Sequence, residues 1–381
     1  MKRLCSILFC AVLALPQSGR AQQALSREMA AEVEQSLKTV WQYEARNRFK
    51  QEVRDEVIAS GDLKLPFKFK VFGERPEDGR SLYISMHGGG SVPQAVNDQQ
   101  WRNQIGLYTP REGVYVAPRA PWNAWNMWFQ EGIDALFERL IQAAVAMWEV
   151  NPDKVYLLGY SAGGDGVWRM APRMADRWAA ASMMAGHPGE ASQVNLRNTP
   201  FMIWMGENDA AYDRNKLAVK HGAILDSLQS ADSEGYIHST HIIKGKGHWM
   251  ERVDTLAIPW MAQFRRNPYP ERVVWRQEMV SRPAMYWLSV PEDECRHGMM
   301  VIAERKKNVV EIEHCDYSRL EIWLNDQMVN LDRPVEVRYR GKRIFRSKVS
   351  RTTENIRQTL TSRGDFRYIF PAVVRVEIPK E

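Results

Sequence analysis

Two rhythms of apolar and polar positions divide the chain, and the change falls at Asn267-Pro268-Tyr269-Pro270. From Pro66 to Arg266, short apolar runs alternate with helical patterns: Phe67 to Phe72, Leu82 to Met86, Val114 to Ala117, a helix from Ile133 to Val150, then Val155 to Tyr160. Ala179 to Ala185, Pro200 to Met205, a helix from Lys216 to Leu228, Ile237 to Ile243 and a last helix near Ile258 to Phe264 continue the series. Strand, helix, strand repeated in this way predicts an α/β fold: a mostly parallel, doubly wound sheet covered on both faces. Such a sheet carries its reactive groups on loops at the carboxyl ends of its strands.

The second rhythm is shorter. Val273 to Val280, Met285 to Val290, Met299 to Ala303, Val309 to Glu313, Leu320 to Leu324, Val335 to Phe345 and Phe366 to Ile378 are apolar stretches spaced by turns, with one helical pattern between Thr353 and Leu360. Serial strands of this kind predict a β-sandwich domain over 267–381. Upstream, Ser26 caps a helix whose apolar positions are Met29, Val33, Leu37, Trp41, Ala45, Phe49, Val53 and Val57. Its polar face mixes Glu with Lys and Arg, which favours a packing helix over one lying on a membrane. A helical segment is therefore expected over 22–65, before the α/β unit at 66–266.

The first residues add a destination. Lys2 and Arg3 precede an apolar run from Leu4 to Pro16, followed by Gln17-Ser18-Gly19-Arg20-Ala21, the pattern of a secretory signal peptide cut after Ala21. The expectation is an exported protein, periplasmic or secreted, with no stable membrane insertion after cleavage. Losing 1–21 removes Lys2, Arg3 and Arg20 and brings the formal charge from +6 to +3. The remaining basic residues are scattered, and Arg338-Tyr339-Arg340-Gly341-Lys342-Arg343 alternates like the outer face of a hairpin, so no nucleic-acid partner is expected. Cleavage also leaves Cys295 and Cys315 as the remaining cysteines, either one disulfide or two buried thiols. Two cysteines without a nearby histidine set imply no metal site.

Candidate chemistry is concentrated in Val155-Tyr156-Leu157-Leu158-Gly159-Tyr160-Ser161-Ala162-Gly163-Gly164, an apolar run entering Gly-x-Ser-x-Gly. This is the pattern of a nucleophile elbow, with Ser161 at a sharp strand-to-helix turn. A serine needs a base, and the base needs an orienting carboxylate. Asp209 follows the apolar strand Pro200 to Met205, with Asp213 as its rival. His248 lies in the glycine-rich turn Lys244-Gly245-Lys246-Gly247-His248. His187, His221, His238, His241, His297 and His314 read as structural histidines. Charge developing on a carbonyl oxygen needs fixed N–H donors. Ser85-Met86-His87-Gly88-Gly89-Gly90 nominates Gly88 and Gly89, and Ala162 follows the nucleophile. Asp165, in the first turn of the following helix, is accounted for by the helix dipole.

On these motifs, residues 66–266 resemble the α/β-hydrolase superfamily. Within it, the loop from Pro118 to Gln130 and the run from Asp165 to Ala185 resemble exported esterases related to polyhydroxybutyrate depolymerases, feruloyl esterases and dienelactone hydrolases. The resemblance implies a serine esterase with a Ser161, His248, Asp209 triad, a small-molecule or polymeric ester as substrate, and no metal or organic cofactor. Trp122, Trp125, Trp128 and Trp249, the first three among Asn123, Asn126 and Gln130, are candidate walls of the substrate cleft, with core packing as the competing reading. Two other functions stay open: a serine peptidase of the prolyl-oligopeptidase type, and a noncatalytic glycan-binding surface protein. Neither the particular ester nor the oligomeric state is legible.

Overall fold

A strand buried on both faces has no polar side, and its alternate residues must find two separate cores. The computed structural model, which describes residues 24–379, solves this with one central sheet. Its strands are β1 (Val57–Ser60), β2 (Leu63–Phe72), β3 (Arg80–Met86), β4 (Gly113–Pro118), β5 (Val150–Tyr160), β6 (Ala180–Met184), β7 (Phe201–Gly206) and β8 (His238–Ile243), in the order β1-β2-β4-β3-β5-β6-β7-β8. β2 is antiparallel to both its neighbours, and every other neighbouring pair is parallel. Leu82, Ile84, Val114, Val116 and Leu157 face one apolar cluster, while Tyr83, Tyr115, Tyr156 and Leu158 face another.

Helices α1 (Arg27–Asp55), α2 (Gln94–Gln104), α3 (Ile133–Trp148), α4 (Ala162–Arg173), α5 (Arg214–Ala231) and α6 (Ala257–Met261) surround this sheet. Ser26 caps α1 by accepting from the N–H of Met29. The helix then packs twice: Ala30, Val33 and Leu37 against the C-terminal part of the chain, and Ala45, Phe49 and Val53 against the main core.

The expected helical segment 22–65 needs correction at its end. Glu56 adopts a left-handed conformation and stops α1, so Val57 belongs to β1 and Leu63 opens β2, with a turn at Gly61 between them. Helix α2 carries no apolar stripe, which is why periodicity missed it. Val150 starts a strand rather than ending a helix.

Beyond residue 267 lie a five-stranded and a four-stranded sheet. The first takes β9 (Arg272–Arg276), β12 (Met300–Lys306), β13 (Val309–Cys315), β15 (Val335–Tyr339) and β16 (Lys342–Ser347); the second takes β10 (Ala284–Met285), β11 (Leu288–Ser289), β14 (Arg319–Leu324) and β17 (Ala372–Glu377). Both feed one apolar cluster, from Trp275, Val301 and Ile312 to Leu288, Ile322 and Val374. Helix α7 (Thr353–Arg363) precedes β17. The long strands read at 285–290 and 366–378 are shorter, since Tyr286 turns left-handed and a Pro371 carbonyl is spent on Thr352. Cys295 and Cys315 are free, buried thiols, with Cys315 opposite Val301 in the hairpin. The signal-peptide expectation lies outside the described residues. Among the described residues no helix is long and apolar enough to cross a membrane.

The two units meet through charge. Arg266 donates to Asp365 at 2.8 Å and to Asp153 at 2.8 Å, Arg177 reaches Asp365 at 3.2 Å and Glu138 at 2.8 Å, and Arg363 pairs with Asp176. The ring of Tyr368 lies under three of these guanidiniums, Arg177, Arg266 and Arg363.

Candidate active site

Strand β5 delivers Ser161 to the carboxyl edge of the sheet, and α4 starts at the next residue. Ser161 sits at φ 59, ψ −122, a conformation that an L-residue holds at a cost of about 1–3 kcal/mol unless its surroundings impose it. The surroundings do impose it, through close backbone contact. A Cβ on Gly159 would stand 2.4 Å from the Gly163 carbonyl oxygen, and one on Gly163 would stand 2.1 Å from that of Met86. No side chain fits either place, so both glycines are steric requirements of the turn.

Three loops converge on Ser161. Its Oγ lies 2.9 Å from His248 Nε2, and His248 Nδ1 donates to Asp209 Oδ2 at 2.7 Å. The Asp209 side chain is 2% exposed and the His248 side chain 43%, so the carboxylate is sheltered while the imidazole edge meets solvent. Asp213, the rival acid, is exposed and pairs with Lys216 at 2.8 Å, away from the imidazole. Asp209 has a second partner that spacing did not nominate: Arg214 Nη1, 3.6 Å from Oδ1. The loops carrying acid and imidazole are stitched together, with Asn208 N–H on the Lys246 carbonyl at 2.8 Å and Gly245 N–H on Glu207 at 2.8 Å.

Tyr160 is another residue that sequence reasoning passed over, although it occupies the first variable position of the motif. Its hydroxyl donates to the His248 carbonyl at 2.7 Å and accepts from the Met250 N–H at 3.0 Å. Burial pushes its pKa up, so the hydroxyl keeps its proton at any physiological pH. The nucleophile strand thus holds the imidazole loop from below.

The glycine loop is held just as firmly. Gly88 faces Ser161, since a Cβ there would meet Ser161 Cβ at 3.1 Å. Ala162 opens α4, where N–H groups have no acceptor within the helix. Gly89 and Gly90 both take φ +115, and the buried side chain of Asn97 clamps Gly90 by accepting from its N–H and donating to its carbonyl, each at 3.0 Å. His87 is buried and neutral: burial drives its pKa down to about 4. Its Nε2 accepts from the Ala120 N–H at 3.2 Å, which leaves Nδ1–H to donate to the Gly88 carbonyl at 2.6 Å. Neutral His87 is therefore a brace for the loop.

The four tryptophans separate. Trp125 is 63% exposed and Trp249 50%, both near the site. Trp122 is half-buried against the main core. Trp128 corrects the expectation of a cleft wall: it is fully buried, donates Nε1–H to the His87 carbonyl at 2.9 Å and packs edge-on to Phe137. Asp165 does more than answer a helix dipole, because its Oδ1 accepts from the His187 N–H at 2.6 Å and anchors the loop after β6. His221, His238 and His241 stand on α5 and β8, and His314 lies at the end of β13 beside Asp316.

No model of a known protein family matches the chain, and no curated protein matches it in sequence. Similar solved structures include a thermostable esterase, 18% identical with a TM-score of 0.41 over 55% of this chain and 62% of that one. A ferulic acid esterase is 16% identical with a TM-score of 0.39, covering 54% of this chain and 96% of its own. Esterase 2 of Thermogutta terrifontis is 18% identical with a TM-score of 0.36, covering 53% and 87%. The chain thus spans less than two thirds of the length of the thermostable esterase, and each likeness takes in about half of this chain.

Proposed function

We propose that the protein is an exported serine esterase of the α/β-hydrolase type that cleaves a carboxylic ester through an acyl-enzyme. The observation that carries this reading is the hydrogen-bonded series from Ser161 to His248 to buried Asp209, mounted on a left-handed serine between two sterically required glycines. Ser161 Oγ attacks the ester carbonyl as His248 Nε2 takes its proton. Asp209 keeps the Nδ1 proton in place and balances the imidazolium. The oxyanion is met by the N–H of Gly88 or Gly89 and that of Ala162. His248 then gives its proton to the departing alcohol, and water attacks the acyl-enzyme by the reverse route. Arg214 and Tyr160 position the acid and the base.

The remaining assignments belong to the same reading. Residues 1–21 are the export signal, 66–266 the catalytic domain, and the two C-terminal sheets a β-sandwich; their shared apolar cluster supports that last assignment. Trp125 and Trp249 are the aromatic rings available to a substrate. The test is a fluorophosphonate probe together with p-nitrophenyl acyl esters, acetylated xylan and methyl ferulate. Wild type should label at one site and turn over at least one ester class, and Ser161→Ala should do neither. Full labelling of a folded Ser161→Ala variant would overturn the assignment.

A further inference from the structure

Between the loop that leaves β6, the Trp125 loop and the C-terminal unit lies a cavity of about 540 Å³ that the proposed mechanism leaves unused. Its position follows from the sheet. Ser161 N–H donates to the Met184 carbonyl at 2.9 Å, so the loop leaving β6 starts next to the nucleophile. That loop supplies His187 and Gly189 to the cavity, and it is tied back by the bond from His187 N–H to Asp165, whose own N–H holds the Ser161 carbonyl at 2.9 Å. The opposite wall is Trp125, with its Cα 3.6 Å from where a Cβ on Gly90 would stand. Glu278 and Met279 of the C-terminal unit contribute the outer side.

The chemistry of this cavity is uneven. Arg173 lines it but is already paired with Asp134. Arg169 also lines it, and among the described residues it has no carboxylate within 4.0 Å. Its nearest polar contacts are the carbonyls of Asp165 and His187, both at a long 3.4 Å from Nη1. Burial lowers the pKa of Arg169 from its ordinary value, outweighing the opposing pull of the carboxyl groups of Asp165, Glu190 and Glu278, none of which is close enough to form an ion pair. The group is nevertheless fixed. Its guanidinium lies 4.0 Å from the centroid of the Phe129 ring, and Gly189 leaves it room, since a Cβ there would stand 1.9 Å from Nη2. A second observation is independent of this one: Glu278 Oε1 is buried with no hydrogen-bond partner, on a residue only 6% exposed in the same cavity. Arg276 Nη1 stands 3.9 Å from that oxygen, an ion pair without a hydrogen bond, so the acceptor still has room for a donor such as a hydroxyl. The exposed ring of Trp125, edge-on to Phe129 at 5.5 Å, adds an aromatic face.

We infer that the ester this site accepts carries a carboxylate, on its acyl or its alcohol part, and that Arg169 recognises it through the planar fork of its guanidinium. The inference rests on the esterase reading and names the substrate class for the same site. A stacked, pre-oriented arginine is the side chain best matched to a carboxylate, because it offers two parallel N–H donors at little cost in ordering.

Paired esters test this with the full-length enzyme. On the acyl side, p-nitrophenyl hemisuccinate, hemiglutarate and hemiadipate are compared with their methyl-capped neutral counterparts. On the alcohol side, 3- and 4-acetoxybenzoate are compared with their methyl esters. The charged member should win by at least tenfold in kcat/KM in one arm, mainly through KM, and that arm tells which part bears the charge. Arg169→Gln should bring the ratio close to one, and Arg169→Lys should restore part of it. Charged and neutral members within threefold of each other in both arms, or a preference that survives Arg169→Gln, would overturn the inference while the esterase reading stood. Failure of wild type to exceed Ser161→Ala on every compound would instead overturn both. Should Arg169→Gln not fold, competition on wild type decides: benzoate must inhibit at least tenfold better than methyl benzoate, and equal inhibition rejects the idea.

Discussion

Asp209 and Asp365 are both buried aspartates that join segments far apart in sequence, and they differ in what they face. Asp209 faces an imidazole whose outer edge is open, with Arg214 at the longer distance of 3.6 Å. Asp365 faces two guanidiniums, Arg266 and Arg177, which carry permanent charge. At the junction, burial would push the carboxyls of Asp365 and Asp176 up, but the surrounding arginines outweigh it and hold both below the usual carboxylate range. In the proposed mechanism the first cluster passes a proton, whereas the second keeps its charges paired. The partner decides, since histidine alone among ordinary side chains changes charge near neutrality.

The sharpest way to break this comparison is to remove each partner and ask what is lost. His248→Ala and Ser161→Ala should each lower kcat/KM by about 10⁶-fold, the scale of losing the serine or the histidine of a triad elsewhere, with little change in the thermal midpoint. His187→Ala and His241→Ala should leave most of the activity. Comparable losses in all of these histidine variants would mean that the effect is structural. At the junction the pattern should invert. Asp365→Asn leaves Arg266 and Arg177 short of a counterion and should destabilise the fold by up to about 3–5 kcal/mol in a denaturant titration, tempered by their other partners, Asp153 and Glu138. The fraction that remains folded should keep its kcat/KM. Lost activity at unchanged stability would place the junction in the catalytic machinery.

Acid separates the two clusters again. A carboxyl held low in the folded state stabilises the protein above its unfolded pKa of about 3.9 and loses that contribution as pH falls through the folded value. Asp176 and Asp365 should therefore hold the two units together at neutral pH and release them below about pH 4. Glu278 has the opposite sign. Burial raises its pKa to about 7, so its ionisation works against the fold as pH rises from about 4.3 to 7. Thermal midpoints measured from pH 3 to 8 should fall steeply at the acid end in wild type. Glu278→Gln should remove part of the decline on the neutral side, and a flat midpoint below pH 4 would contradict the junction argument.

What sequence reading reached and missed follows one physical division. The central sheet was legible because each of its inner strands is apolar at nearly every position, as in β4 and β7, and such runs have no other place to go. The elbow, the acid and the imidazole loop were legible because close backbone approach leaves glycine as the marker, at Gly159, Gly163 and Gly206, where a Cβ on Gly206 would stand 2.0 Å from the Gly247 carbonyl oxygen. Asn97, Arg214 and Arg169 were not, because each acts through a contact with residues distant in sequence or on a neighbouring loop, and nothing in local spacing records it. The same holds for α2, whose polar sequence has no apolar stripe, and for β10 and β11, two residues each, which exist only through pairing.

The smallest expected effect tests whether the strand beneath the site shares in the chemistry. Tyr160 spends its hydroxyl on the His248 carbonyl and the Met250 N–H, both in the loop that must keep the imidazole 2.9 Å from Ser161. Tyr160→Phe keeps the ring that packs beside Trp249 and removes only the two hydrogen bonds, leaving a carbonyl and an N–H short of partners. Losing them should cost about 1–3 kcal/mol of local order. Because the loop rather than the substrate pocket is loosened, the loss should fall on kcat, several-fold to tenfold, with KM nearly unchanged, and fluorophosphonate labelling should slow in step. A merely structural role predicts something else: a lower thermal midpoint with kcat intact at 25 °C. That outcome would return Tyr160 to the core and leave the placing of the imidazole loop to Asn208, Glu207 and Asp209.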